Sequence, residues 1–346
     1  MSVSEEQVRD ALRSVRYPGF SRDIVSFGLV KNVRIDDGEV KVQLALATND
    51  PNVPATIKTE AEKILRTLNG VRAAKVLIDI QAPPGGAGAS VGPVRIPGIK
   101  HVIAVASGKG GVGKSTVAAN LAVALEQTKA RVGLCDCDIY GPSISLMFGT
   151  RERPTATDEN KIIPIEQYNL KLMSMGFLLD DTSPAILRGP MVTRYTQQFL
   201  RQVDWGELDF LVLDLPPGTG DIQLTIVQTV ALSGAIIVTT PQEVALIDAR
   251  KAATMFEKVN VPVLGLIENM SYFVSPSDQK RYDIFGSGGG EREAKRLRVP
   301  LLGQIPIDIA TREAGDRGEP IVSQDRQSLV TVEFTKVAKR IREALP

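Results

Sequence analysis

Cysteine is almost missing from this 346-residue chain: Cys135 and Cys137, one residue apart, are the only two. That excludes a disulfide framework. Histidine occurs once, as His101, and without a second histidine it reads as an exposed residue at a strand start, not as a metal ligand or catalytic base. Tryptophan also occurs once, at Trp205, and reads as packing or surface. Neither sign of charge dominates: 41 basic and 40 acidic residues leave a net charge of +1, so no global field calls for nucleic acid or an anionic membrane. No apolar run approaches the ~18 residues of a membrane span, and MSVSEEQVRDALRSVR lacks the continuous apolar core of a secretory signal. These absences predict a soluble cytoplasmic protein with no nucleic acid and no membrane among its partners.

What is present divides the chain into three. QAPPGGAGASVGPVRIPG, rich in Pro, Gly and Ala, reads as a flexible linker over residues 81–99. Before it, residues 1–80 carry a small α/β domain. Ser4 with Gln7 forms a capping-box pattern opening a helix through about Arg16. GLVKNVRI and EVKVQLAL alternate as strands around Asp37-Gly38, residues 54–67 look helical, and AKVLIDI closes as a strand. After the linker, residues 100–346 alternate short apolar runs (HVIAVAS, RVGLCD, LKLMSM, DFLVLDL, GAIIVTT, VLGLIEN and LLGQIP) with longer helical patterns. That predicts a mostly parallel sheet covered by helices on both faces. The last helix, about 327–345, sets Phe334, Val337, Ile341 and Leu345 on one face; packing on the sheet is the expectation, with membrane binding the alternative.

The chemistry starts at SGKGGVGKST, residues 107–116. A strand runs into this glycine-rich turn and a helix leaves it, which is the context a phosphate loop requires. Gly108, Gly110, Gly111 and Gly113, with Val112 between them, let backbone N–H groups converge on phosphate oxygens, and the helix N-terminus adds its dipole. Lys114 can reach the β- and γ-phosphates and the Ser115 hydroxyl can ligate Mg²⁺, with Thr116 beside it. DFLVLDLPPGTGD ends a strand in Asp214, placed to serve the Mg²⁺ shell. In GLCDCDIYGPS, strand alternation sets Cys135 and Cys137 on one side and Asp136 and Asp138 on the other. One of these acids can orient an attacking water; the alternative is that an acid only caps the following turn.

GKGGVGKST, DCDIYGPS, ILRGPM, DLPPGTGD and ENMSYF, in this order, resemble the Mrp/ApbC family of iron-sulfur cluster carrier ATPases, part of the MinD-like, deviant Walker A branch of P-loop proteins. The N-terminal domain is similar to the iron-sulfur assembly domain often fused ahead of it. The resemblance implies a P-loop NTPase that binds and hydrolyses ATP with Mg²⁺, dimerises, and delivers clusters to apoproteins or works with scaffold proteins. It further implies that Lys109 crosses a homodimer interface to the partner's phosphates, that Asp138 polarises the water, that Asp214 serves Mg²⁺ and that Asn269 reads adenine. A lysine supplied across an interface would make turnover depend on dimerisation, as an arginine finger does.

The chain departs from the family in its thiols. Many members carry C-x-x-C after N-M-S and hold a bridging [4Fe-4S] cluster with it; here Ser275 and Asp278 stand at those places. Asp50 precedes Pro51 where relatives often have a cysteine, and Tyr17-Pro18-Gly19 replaces an acidic signature. Cys135 and Cys137 are the remaining candidate cluster ligands, since four thiolates from two subunits match the ligand count; the alternative is that both are small buried hydrophobes. Two rival functions stand beside the carrier reading: a MinD/ParA-like positioning switch without cluster cargo, and an adaptor that binds ATP without turnover.

Overall fold

The computed structural model describes residues 3–16, 23–25, 28–36, 38–47, 52–81, 93–138, 141–150, 152–157, 161–177 and 200–346. Most of the linker, Tyr17-Pro18-Gly19, Asp37, Asp50-Pro51 and the ILRGPM stretch lie outside these residues. Two units, Met1–Val91 and Gly92–Pro346, separate.

The first unit follows the expected α-β-β-α-β order: α1 (Glu5–Leu12), β1 (Val30–Asp36), β2 (Glu39–Ala47), α2 (Asn52–Leu65) and β3 (Ala73–Gln81). Ser4 Oγ accepts from the Gln7 amide while the Gln7 side chain accepts from the Ser4 amide, so the capping box is complete. The helix ends four residues earlier than the sequence pattern suggested, because the amides of Arg13, Ser14 and Val15 turn to carbonyls three residues back. β1 and β2 pair antiparallel with Gly38 at φ +81°, and β2 and β3 pair parallel. Val40, Val42, Leu44 and Leu46 of β2 are fully buried with Val8, Leu12, Ile57 and Leu65 of the helices. The helices thus cover one sheet face.

The second unit contains β4 (Ile99–Ala106), α3 (Lys114–Glu126), β5 (Val132–Asp136), α4 (Ile144–Met147), β6 (Ile165–Gln167), β7 (Leu170–Ser174), β8 (Leu208–Asp214) and α5 (Asp221–Thr229). Then come β9 (Gly234–Thr239), α6 (Glu243–Lys258), β10 (Val263–Glu268), β11 (Phe273–Val274), β12 (Arg281–Tyr282), α7 (Gly289–Leu297), β13 (Leu301–Gln304), α8 (Ile309–Arg317), α9 (Ile321–Gln324) and α10 (Leu329–Ala344). The eight-stranded sheet has the order β13-β10-β9-β4-β8-β5-β7-β6, and only β6 runs antiparallel to its neighbour. All seven apolar runs became parallel strands, while the short β6 and the β11–β12 hairpin carried too few apolar residues to be expected. α10 buries Phe334, Val337 and Ile341; its apolar face is core, which answers the membrane alternative. Among the described residues no helix is long and apolar enough to cross a membrane.

The central strands β4, β8 and β5 are buried almost end to end. Trp205 is 1% exposed, and its ring packs where Gly133 leaves room. A Cβ at Gly133 would stand 2.8 Å from Leu208 Cδ1 and 3.0 Å from both Leu211 Cδ1 and Trp205 Cζ3. Overpacking a close-packed interior costs about 1–3 kcal/mol. Gly133→Ala should therefore lower the unfolding free energy by about that amount in urea titrations.

Candidate functional site

Between the end of β4 and the start of α3, residues 107–113 form the turn that the motif predicts. Its glycines have two different jobs. Gly111 and Gly113 lie at φ +83° and +77°, where a side chain is strained. A Cβ on Gly110 or Gly111 would meet nothing within 4 Å, so this side of the loop is an open backbone concavity at a helix N-terminus, suited to anionic oxygens. A Cβ on Gly108 would fall on the Asp248 carbonyl of α6, and one on Gly113 on the Asn269 amide. Those two glycines admit neighbouring elements.

Lys114 Nζ lies 2.5 Å from Asp214 Oδ1 and 3.3 Å from Ser115 Oγ. The pair is buried, with the lysine 7% and the aspartate 0% exposed. Asp214 Oδ2, also buried, accepts no hydrogen bond among the described residues. Burial raises the Asp214 pKa and the Lys114 ammonium opposes that rise. The loop after β8 is fastened to the phosphate loop: Leu215 N donates to Val105 O at 3.0 Å and Gly218 N to Ser107 O at 2.9 Å.

The register Asp136↔Asp214 puts a second carboxylate beside this pair. Asp136 Oδ1 accepts from Asp138 N at 3.0 Å; Oδ2 accepts from Ser143 N at 3.0 Å, Ile144 N at 3.2 Å and Ser174 Oγ at 3.1 Å. It is therefore the capping acid, holding the start of α4 and the backbone of Asp138. Burial first, and then the Asp214 charge, push its pKa up to about 7. Asp138 sits partly exposed at the mouth of the same turn, with Oδ1 accepting from Gly141 N at 3.3 Å. The capping alternative for the paired acids is thus met by Asp136.

Asn269 follows β10 and is drawn to the loop: its backbone amide donates to Thr239 O at 2.8 Å and its Nδ2 to Val112 O at 2.9 Å. Glu268, one residue earlier and fully buried, was missed by sequence reasoning. Its carboxylate accepts from Gly290 N at 2.5 Å, Ser271 Oγ at 2.7 Å and Gln304 Nε2 at 2.9 Å, fixing the turn that carries Asn269. The acid in E-N-M-S was the available signal. Thr116 contributes its carbonyl to Asn120 Nδ2 at 2.9 Å, inside α3. Lys109 is half-exposed, and among the described residues its ammonium has no hydrogen-bond or ion-pair partner.

Cys135 and Cys137 are 0% and 1% exposed, with sulfurs 3.9 Å apart. Burial pushes the Cys135 thiol up, away from thiolate. Ser275 and Asp278 lie on the separate β11–β12 hairpin, where Ser275 Oγ is 2.9 Å from Ser277 Oγ and Tyr282 Oη donates to Asp278 Oδ2 at 2.9 Å. Among the described residues no three His, Cys, Asp or Glu side chains gather as a metal site.

Comparison with known proteins agrees with this geometry. Residues 98–342 match the family described as the NUBPL iron-transfer P-loop NTPase, and residues 5–78 match the iron-sulfur cluster assembly protein family. The iron-sulfur cluster carrier protein of Synechocystis is 44% identical, covering 98% of this chain and 97% of its own. The iron-sulfur cluster transfer protein NUBPL of Mus musculus is 52% identical over 66% of this chain and 72% of its own. Among solved structures, a nucleotide-binding protein of Archaeoglobus fulgidus in complex with ADP has a TM-score of 0.59 at 40% identity, covering 65% of this chain and 89% of that one. The cell division ATPase MinD of Pyrococcus furiosus has a TM-score of 0.56 at 26% identity, over 71% of this chain and 99% of that one.

The raised Asp136 pKa has a definite sign in stability. A carboxyl that binds its proton more tightly when folded adds stability below its unfolded pKa, and this is lost as pH rises through about 7. Wild-type stability relative to Asp136→Asn should therefore fall between about pH 4 and pH 7. Chemical denaturation of both proteins across that range checks it; parallel pH profiles would contradict it.

Proposed function

Because the chain belongs to the NUBPL iron-transfer P-loop NTPase family, we propose that it is an iron-sulfur cluster carrier that binds and hydrolyses Mg-ATP as a homodimer. The observation that carries this reading is the buried Lys114–Asp214 pair set behind an open glycine cradle. The residues fit Mg-ATP: Gly110 and Gly111 face open space, and Asp214 Oδ2 is a buried acceptor without a donor among the described residues. Ser115 and Asp214 would hold the Mg²⁺, directly or through water, and Asn269 would face the adenine. Bound Mg²⁺ would supply charge neutralisation at the phosphates.

Each residue then has a physical task. Lys114, released from Asp214, would pair with phosphate oxygens, and Asp138, at the mouth of the turn that Asp136 fastens, would orient the attacking water and accept its proton. Lys109, partly exposed and without an ammonium partner among the described residues, would reach the phosphates bound by the second subunit. The face beside the loop suits a second copy: Val244 and Ile247, in the first turns of α6 next to the Asp248 that touches Gly108, are 55% and 42% exposed. Exposed apolar residues around a polar site are an interface signature.

Lys114→Ala should weaken nucleotide binding by about 30-fold or more, as expected for loss of a charged pair partner. Lys109→Ala should keep affinity within about three-fold while kcat falls by about 10²–10³, the scale of a transition-state charge contact, and nucleotide-dependent dimerisation disappears. Isothermal titration, phosphate release and light scattering separate these; equal loss of binding in both variants would end the division of labour.

The cargo poses a stricter chemical condition. Both thiols of the chain are buried, and thiolates are the usual ligands of a [4Fe-4S] cluster. We therefore place Cys135 and Cys137 in the core and assign the carried cluster to ligands shared with a donor or acceptor protein. In anaerobic transfer assays with an apo-acceptor, Cys135→Ser/Cys137→Ser should retain ATP-dependent cluster delivery once its fold is verified by circular dichroism. Loss of delivery in a folded, ATP-hydrolysing double variant would return the two cysteines to the ligand set.

A further inference from the structure

The sheet of the N-terminal unit has one face covered by α1 and α2 and another lined by exposed side chains. On that outer face the strand register is informative. Arg34 of β1 stands opposite Lys41 of β2, and Lys41 opposite Lys75 of β3. Three cations therefore lie in one row across three strands, all exposed. Like charges directly opposite one another in a sheet are unfavourable. Arg34 and Lys75 pair with no carboxylate among the described residues, and only Lys41 has one, Glu39 at 3.2 Å.

The neighbouring rows give the patch its borders. On one side lie Asp36, Glu39 and Ala73, which repel a negatively charged partner. On the other lie Asn32, Gln43 and Leu77, and Leu77 is 48% exposed. Beyond that row Asp79 of β3 is exposed on the same face, so an anionic partner is confined to the cation row and the row of Leu77. Strands are about 4.8 Å apart, so the row spans about 10 Å. Carboxylates three or four positions apart on a helix are about 5–6 Å apart, which matches it; alternate residues of an extended strand, about 6.7 Å apart, match it less well.

We propose that the outer sheet face of the N-terminal unit docks an acidic helix of a partner protein, with three carboxylates over Arg34, Lys41 and Lys75 and an apolar residue against Leu77. The inference is independent of nucleotide hydrolysis.

The test uses the full chain and two fluorescein-labelled 16-residue peptides of equal composition. One places Glu at successive i, i+4 and i+7 positions with a Leu on the same face, and the other scrambles that order. The ordered peptide should bind saturably by anisotropy, at least about five-fold tighter than the scrambled one, and weaken steeply from 50 to 300 mM salt. Arg34→Gln/Lys75→Gln should weaken it about five-fold or more, as two exposed charge pairs allow, and Leu77→Asn should weaken it without changing the salt slope. Equal binding of both peptides, insensitivity to these variants, or stronger binding to single-stranded DNA or to phosphatidylserine vesicles would overturn the proposal. ATP turnover should be unchanged in the double variant, so a failed docking test leaves the nucleotide reading standing.

Discussion

The buried contact between Lys114 and Asp214 constrains the rest of the second unit. An ion pair held this far from water gains from mutual attraction what it loses in hydration only when both partners stay in place, and removing one costs about 3–5 kcal/mol. The surrounding structure meets that condition. Asp214 ends β8, flanked by β4 and β5, with the β5 residue in register being Asp136. The phosphate loop delivers Lys114 as the first residue of α3 from the end of β4. Parallel strands ending at one level bring both charges to a single edge of the sheet, which is where open α/β folds bind ligands.

The same contact also explains why the surrounding loops are tied together. Asp214 has one oxygen on Lys114 and one without a donor among the described residues, so its site is complete as a salt bridge and incomplete there as a hydrogen-bonded carboxylate. Such a pair holds its present geometry while keeping an acceptor available to a cation. Through Gly218 to Ser107, and through Asn269 to Val112, the loops after β8 and β10 are bonded directly to the phosphate loop. A change in the Lys114 partner is therefore felt on both sides. The third neighbour, the turn at 138–144, is anchored separately by Asp136, which spends both carboxylate oxygens on amides and a hydroxyl. Its two acidic residues are divided by burial: the enclosed one fixes the turn and the other, Asp138, is partly exposed.

Much of this was legible in the residues because local signals agreed. Apolar runs bounded by glycine and proline located seven of the eight sheet strands, and the phosphate loop was readable because strand, turn and helix coincided with its glycine spacing. The capping box at Ser4 and the turn at Gly38 rest on short-range geometry, which sequence encodes directly. What stayed hidden depended on distant partners. Gly108 and Gly113 looked like members of one phosphate cradle, yet their missing side chains make room for Asp248 and Asn269, more than 130 positions along the chain. Glu268 stood in the E-N-M-S motif, but its task stayed hidden because its three donors come from three separate segments. Alternation placed Asp136 and Asp138 on one side but could not divide their tasks, since that division follows from tertiary burial.

The thiol inventory and the N-terminal sheet bear on one problem. A carrier whose two cysteines are sealed in the core, with the Cys135 thiol pushed away from thiolate, has no strong cluster ligands of its own to offer at its surface. On the reading proposed above, cargo exchange would draw on ligands brought by another protein, and so on a surface that holds that protein while the cluster moves. In the proposed homodimer the nucleotide face is taken, because a second copy of the chain would cover Val244, Ile247 and the open glycines. The N-terminal sheet face is polar, exposed and unbalanced by design of its register: three cations in a row cost stability within the unit and gain attraction only toward an acidic partner. Weak, salt-sensitive docking also suits a carrier, which must release each partner once the cluster has passed. On the readings proposed above, the docking charge would lie on one unit and the nucleotide-dependent face on the other.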